Sequence, residues 1–193
     1  MRIISGDLKG KTIAFLKSSV TRPLKDSVKE NIFNILKHSN LLTINLKNSN
    51  ILDLYSGVGS FGLECISRGA KQVTFVEKNK NAFSILKKNL IDLDIKDKST
   101  IITENIDFFL KEDLSEKFEI IFLDPPFSDN SYLGIIKSIG EKNICKKNHV
   151  VIIHREKKTF DNFQGILNPL IIKQYGRSKI IFGKLILFFF CIY

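Results

Sequence analysis

From Asn50 onward, short apolar runs alternate with segments whose apolar residues recur at helical spacing, and this alternation restricts the chain more than any other feature. Residues 51–54, 72–76, 100–103, 118–123 and 150–154 read as strands, and residues 59–68, 79–93 and 132–139 as helices between them. Strands that are apolar throughout, each followed by a helix, belong in a parallel sheet covered on both faces. Two further runs, 166–172 and 179–190, are joined by the turn Tyr175-Gly176-Arg177-Ser178 with no helix between them, so they are expected as an antiparallel hairpin at the sheet edge. The expected class is α/β, a doubly wound Rossmann-like fold with a mostly parallel seven-stranded sheet and a C-terminal antiparallel hairpin.

The first 45 residues have a different character. Residues 1–30 carry seven basic side chains against three acidic ones, and residues 2–5 and 11–15 flank a Gly-Asp-Leu-Lys-Gly turn, which suggests a small hairpin. Val28, Ile32, Phe33, Ile35 and Leu36 follow with helical period, with Lys25 or Asp26 where the helix would begin. We therefore expect an N-terminal basic extension, 1–45, followed by a larger unit, 46–193. The net charge of +10 over 193 residues favours a polyanionic partner. Cys65, Cys145 and Cys191 are isolated, and His38, His149 and His154 share no ligand spacing, so no metal site is expected and the histidines read as ordinary surface or strand-end residues. The N-terminus has no apolar core of a signal segment, and the apolar run at 185–193 is far shorter than the roughly 20 residues that cross a bilayer. A cytoplasmic chain without a membrane partner is expected, and nothing in it calls for more than a monomer.

In doubly wound sheets, ligands bind beyond the carboxyl ends of the strands, so chemistry is sought after Leu54, Val76, Thr103 and Leu123. After Leu54 comes a glycine-rich turn, Asp53-Leu54-Tyr55-Ser56-Gly57-Val58-Gly59-Ser60-Phe61-Gly62. Such a turn brings backbone N–H groups close to a nucleotide or a methionine-like carboxylate, although the glycine spacing alone also matches a dinucleotide fingerprint. Glu77 follows the second strand, about twenty residues on, where a carboxylate can accept hydrogen bonds from ribose hydroxyls. Asn105 and Ile106 follow the third strand and could face an adenine ring.

The sharpest signal is Asp124-Pro125-Pro126-Phe127 directly after the fourth strand. Two prolines remove donors and fix φ, which stiffens the loop and should leave its carbonyls without intramolecular partners. An exocyclic base amine is a poor nucleophile because its lone pair is delocalised. Acceptors at Asp124 and at the Pro125 carbonyl would each take one of its N–H bonds and aim the lone pair at a methyl group. Phe127 would stack on the base. Lys142, Lys146, Lys147, Arg155, Lys157 and Lys158 could extend an RNA-binding face or form a solvated rim.

Together these residues resemble the bacterial 16S ribosomal RNA guanine-N2 methyltransferase family, RsmD type. Arg2-Ile3-Ile4-Ser5-Gly6, Lys9-Gly10-Lys11, Thr21-Arg22-Pro23, Asp26, Val28-Lys29-Glu30, Phe33-Asn34 and Tyr175-Gly176 extend the likeness over nearly the whole chain. The resemblance implies a methyltransferase fold using S-adenosyl-L-methionine, with S-adenosyl-L-homocysteine as product and 16S ribosomal RNA, within a 30S subunit or assembly intermediate, as substrate. It places Asp53, Tyr55, Ser56, Gly57 and Gly59 around the methionine and sugar, Glu77 with Lys78 beside it at the ribose, and Asn105 and Ile106 at the adenine. The target guanine falls to Asp124, Pro125, Pro126 and Phe127. Arg22 and Pro23 would lie over the cofactor, and Arg2, Lys9, Lys11, Arg22 and Lys25 would meet RNA. Two residues depart from the pattern: Leu24 stands where Thr is usual and Ser27 where Arg is usual. Three rival readings are adenine-N6 methylation of DNA or another RNA, a non-catalytic RNA-binding module, and a dinucleotide dehydrogenase.

Overall fold

The tertiary structure, a computed structural model, describes residues 1–16 and 24–186. Lys17, Thr21, Arg22 and Pro23, and the apolar run beyond Ile186, lie outside the described residues. The elements in chain order are α1 (Asp26–His38), β1 (Asn50–Leu54), α2 (Ser60–Ser67), β2 (Gln72–Val76), α3 (Lys80–Asp92), β3 (Ser99–Ile102), α4 (Ile106–Phe109), β4 (Phe118–Leu123), α5 (Tyr132–Glu141), β5 (Cys145–Glu156), β6 (Leu167–Tyr175) and β7 (Ser178–Leu185). The sheet order is β3-β2-β1-β4-β5-β7-β6. β1 to β5 run parallel, and β7 pairs antiparallel with both β5 and β6. The expected fold class is the one observed, including the seven strands and the closing hairpin.

Alternate strand residues enter opposite layers, as a two-state pleat requires. Ile51, Phe75, Ile120, Phe122 and Ile152 pack with the apolar faces of α1, α2 and α3, whereas Leu54, Val76, Ile121, Leu123 and Ile153 pack with α4 and α5. α1 buries Val28, Ile32, Phe33 and Leu36 on one stripe, with Asp26 in its first turn and Lys37 and His38 in its last, matching the helix dipole. α3 starts at Asn79, whose side chain accepts from the N–H groups of Asn81 and Ala82.

The N-terminal hairpin is a single bridge, Arg2 to Thr12, flanked by the cross-hairpin bonds of Ile3 N–H to the Lys11 carbonyl and Ile13 N–H to the Met1 carbonyl, and the backbone groups next to these are bound by the helices. The buried Glu64 of α2 accepts from the N–H groups of Ile4 and Ser5 at 2.8 and 2.9 Å, and buried Asn89 of α3 binds both backbone groups of Ala14. Lys29 is fully buried and lies 3.6 Å from Glu64, so it does not belong to the basic surface. Burial pulls its ammonium pKa down, partly offset by Glu64 and Asp26.

Among the described residues, no helix is long and apolar enough to cross a membrane, and no cluster of His, Cys, Asp and Glu could hold a metal ion.

Candidate active site

β1 lies between β2 and β4, so the connections leaving β1 and β4 diverge at this point of the sheet, where ligands of doubly wound folds bind. Leu54 and Leu123 are register partners, which sets the turn after β1 directly beside the loop after β4. The Asp124 N–H donates to the Leu54 carbonyl at 3.4 Å across the gap.

The turn after β1 places Tyr55, Gly57 and Gly59 all in the left-handed region, at φ of 56°, 56° and 87°. A Cβ on Gly57 would meet nothing within 4 Å, whereas one on Gly59 would sit 2.4 Å from Leu86 Cδ1. Gly57 is thus the residue that opens the backbone outward, and Gly59 serves the packing of the turn on α3. Gly62 likewise makes room for the Phe75 ring. Of the three glycines of this turn, Gly57 is the one whose Cα faces open space.

Glu77 holds this turn: one carboxylate oxygen accepts from Gly57 N–H at 2.8 Å and the other from Asn79 N–H at 2.7 Å. Asp53, 1% exposed, accepts from Gly62 N–H at 3.0 Å through Oδ2, while Oδ1 is buried without a partner among the described residues. Burial raises the Asp53 carboxyl well above its ordinary range; the Gly62 N–H opposes this, and the nearby charges of Asp124 and Glu77 add to it. Ser56 Oγ is also buried and unpartnered among the described residues. Asn89 donates to the Val58 carbonyl at 3.1 Å while also holding Ala14, so it ties the N-terminal segment to the glycine-rich turn.

The loop after β4 is held from three sides. Asp124 Oδ1 lies 2.8 Å from His154 Nδ1, and Phe127 meets the His154 ring edge-on with centroids 5.5 Å apart. A carboxylate only accepts, so Nδ1 carries the proton, and Nε2 is left buried without a partner among the described residues. Arg155, fully buried, donates to the Pro126 carbonyl at 3.1 Å, the Phe127 carbonyl at 3.3 Å and Asn130 Oδ1 at 3.4 Å. Its Nε donates to Asp161 at 3.2 Å, and its guanidinium lies 4.4 Å over the Tyr132 ring.

Asp161 is fixed in turn by Tyr132 Oη at 2.5 Å and Lys179 at 2.7 Å. Tyr55 Oη donates to Asp129 at 3.1 Å, and this hydrogen bond joins the two loops. Burial opposes ionisation of Asp129, but the Ser131 hydroxyl and N–H, with Tyr55, outweigh it and hold that carboxyl below its usual range. Among the described residues, no hydrogen bond ends on Asp124 Oδ2 or on the Pro125 carbonyl.

Comparison with known proteins places this geometry in a family. The model of the family described as conserved hypothetical protein 95 matches residues 1–184. The ribosomal RNA small subunit methyltransferase D of Buchnera aphidicola is 36% identical over 167 residues, 86% of this chain and 81% of that protein. The chain belongs to this RsmD family. The protein of the same description from Haemophilus influenzae is 36% identical over 159 residues, covering 81% of this chain and 79% of that one. A solved structure from Haemophilus influenzae, 31% identical, superposes with a TM-score of 0.76 over 94% of this chain and 96% of that chain.

Several expectations for this RsmD-family chain need correction. His154 and His149 are not surface residues: both are buried, His149 accepting from Leu185 N–H at 3.1 Å and His154 bound to Asp124. Arg155 is not part of a basic rim but the internal clamp of the Asp124 loop. The Pro126 carbonyl does have intramolecular partners, Arg155 and the Asp129 N–H at 2.8 Å, and only the Pro125 carbonyl keeps the expected freedom. Ile106 is turned into the core, 6% exposed, so its side chain offers little apolar surface to a ring, whereas Asn105 is exposed, with its amide oxygen capping α4 through Asp107 N–H.

Lys78 is exposed, and so are Arg2, Lys9, Lys11 and Lys25 around the N-terminal turn, while Arg22 and Pro23 fall outside the described residues. The sequence carried a signal for the position of His154 and Arg155, though not for their burial. They follow the apolar run 150–153, and the rule that sends chemistry to strand ends applies to that run as well. Two surface grooves of about 450 and 410 Å³ contain neither Asp53, Glu77 nor Asp124, so the site is located by its chemical groups rather than by the depth of the surface.

Proposed function

We propose that this chain transfers a methyl group from S-adenosylmethionine to the exocyclic N2 amine of a guanine in 16S ribosomal RNA, within a 30S subunit or an assembly intermediate. The observation that carries the reading is a clamped Asp124-Pro125-Pro126-Phe127 loop. Among the described residues it keeps one carboxylate oxygen and one carbonyl unspent beside the glycine-rich turn. Two acceptors in a fixed loop match the two N–H bonds of a base amine, and Phe127 supplies a ring face for the base.

The residues present fit the methyl donor. Asp53 Oδ1 and Ser56 Oγ are buried polar atoms without partners among the described residues, which suits the ammonium and hydroxyl donors of such a ligand. The carboxylate oxygens of Glu77 each use one lone pair on a backbone N–H and keep others for a ribose. Bound there, the sulfonium supplies an activated methyl group whose C–S bond breaks with the electron pair leaving on sulfur.

The chain's own part is to orient and to exclude. Asp124 and the Pro125 carbonyl draw the amine hydrogens and direct its lone pair, and Asp124 Oδ2 is placed to take the proton that the alkylated nitrogen sheds. His154 fixes Oδ1 so that Oδ2 is the oxygen offered. Residues 1–45 would meet RNA phosphates through Arg2, Lys9, Lys11 and Lys25, and residues 46–193 would hold the donor and the target base.

Labelled S-adenosylmethionine should be incubated with undermodified 30S particles, free 16S RNA and DNA in parallel, and the nucleosides then separated. Label in N2-methylguanine of the ribosomal samples is expected. Label in N6-methyladenine, or in the DNA sample alone, would overturn the assignment.

The His154 contact makes a second expectation. His154→Phe keeps a ring against Phe127 but deletes the donor to Asp124, and loss of a hydrogen bond to a charged group should lower kcat by about 10- to 100-fold. KM for the methyl donor should not change. His154→Asn, whose amide nitrogen stands near the position of Nδ1, should recover part of the loss. Equal kcat for the Phe and Asn variants would remove His154 from the orientation of Asp124.

A further inference from the structure

The segment between β5 and β6 presents Phe160 with 94% of its surface exposed, the most exposed of the large apolar side chains among the described residues. An aromatic ring left in water is unfavourable by its transfer free energy, and where it adjoins further exposed apolar surface the patch commonly marks a contact surface. The neighbouring backbone is not loose. Thr159 Oγ1 donates to the Glu156 carbonyl at 2.7 Å, Lys157 N–H donates to the Arg177 carbonyl at 2.8 Å, and the Asp161 side chain, 3% exposed, is ion-paired to Arg155 and Lys179. The ring is therefore held outward by an ordered support.

It borders a groove of about 450 Å³ whose apolar lining includes Phe163, Pro169 and Ile172, the last 53% exposed. Lys157, at the groove, and the exposed Lys158 beside it in the chain have no acidic partner among the described residues.

We infer that Phe160 and this groove, with Lys157 and Lys158, form a second contact for single-stranded RNA, in which an unpaired base beside the target stacks on Phe160. The inference rests on the RNA substrate proposed above and adds a site to it. An exposed ring flanked by lysines matches a base and its phosphates, which is how sequence-tolerant single-strand contacts are built. Placement agrees as well. β5 runs parallel to β4, with Leu123 opposite Ile153, so the segment after β5 emerges on the same edge of the sheet as the Asp124 loop. One guanidinium, that of Arg155, binds both Asp161, the residue after Phe160, and the carbonyls of Pro126 and Phe127. The stacking position and the target loop are thereby fixed relative to each other.

The chain has no tryptophan, so Phe160→Trp introduces a single reporter. Its emission should be quenched by a single-stranded RNA oligonucleotide without any methyl donor present. A duplex of equal length, or inorganic polyphosphate, should quench much less. Lys157→Glu with Lys158→Glu in the same background should weaken the titration by about tenfold and flatten its salt dependence. Phe160→Ala should raise KM for the ribosomal substrate by about tenfold and leave KM for the methyl donor unchanged.

No quenching by the single strand, equal quenching by polyphosphate, or quenching that grows with protein concentration alone would each overturn the inference; the last would point to a second copy of the chain. Because the titration needs no methyl transfer, the two ideas fail separately. Quenching without transfer would sink the proposed activity and leave this contact standing, whereas transfer with an unaltered KM in Phe160→Ala would do the reverse.

Discussion

Asp124→Ala is expected to lower kcat for methyl transfer by about 10²- to 10³-fold, the effect of deleting one oriented electrostatic partner of a reacting group. Calorimetric affinity for S-adenosylmethionine should remain close to that of the unaltered chain, because Asp53, Ser56, Glu77 and the Gly57 backbone lie on β1, the turn after it and the end of β2 rather than on the Asp124 loop. Stability should fall only slightly, since Asp124 is half-buried and its removal leaves one His154 N–H without its acceptor.

Asp124→Asn supplies the sharper comparison. An asparagine keeps one oxygen for the base amine if its NH2 turns toward His154, and the imidazole can then accept at Nδ1 by carrying its proton on Nε2. Asp124→Asn should accordingly lose less than Asp124→Ala, and the advantage should vanish when His154 is Phe. A double variant that retains the activity of Asp124→Asn alone would show that the imidazole plays no part in orienting this side chain.

The parallel sheet was legible because each central strand is apolar on both faces and each crossover helix has its own stripe. Residues 72–76 and 118–123 coincide with β2 and β4. β5 is longer than its apolar run because it starts at Cys145 and carries Lys146, Lys147 and Asn148 through a register shift opposite Phe118 and Ile120. Polar residues at an irregular, solvent-facing start of a strand give no periodic signal. α4 has four residues, about one turn, and a single turn cannot display a helical repeat.

In the site, the turn and the Asp124 loop could be placed from glycine and proline chemistry, whose backbone consequences are local. The clamp could not. Arg155 and His154 look in sequence like two more polar residues of a basic chain, and their burial follows from the closing strand β7, which covers β5 at Ile180 and Lys179. Pairing across strands decided what spacing along the chain could not express.

That clamp carries the second large effect. Arg155→Met removes the only guanidinium among the described residues that reaches the Pro126 and Phe127 carbonyls, and with it one side of a fully buried ion pair. Breaking a buried pair from one side destabilises by about 3–5 kcal/mol. The lower end applies here, because Asp161 keeps Lys179 and Tyr132 as partners. For a chain of this size that corresponds to a fall in Tm of roughly 6–12 °C, readable by thermal denaturation.

Arg155→Lys separates charge from shape. A lysine restores a cation beside Asp161 but not the planar fork that spans two carbonyls and an amide oxygen. It should recover much of the Tm while kcat, measured below the transition, stays depressed by about tenfold or more, since a loop misplaced by a fraction of an ångström no longer presents both acceptors to the amine. If the lysine variant regained stability and rate together, the loop would be rigid by virtue of its prolines alone. The carbonyl contacts of Arg155 would then be a consequence of the fold rather than a condition for the reaction.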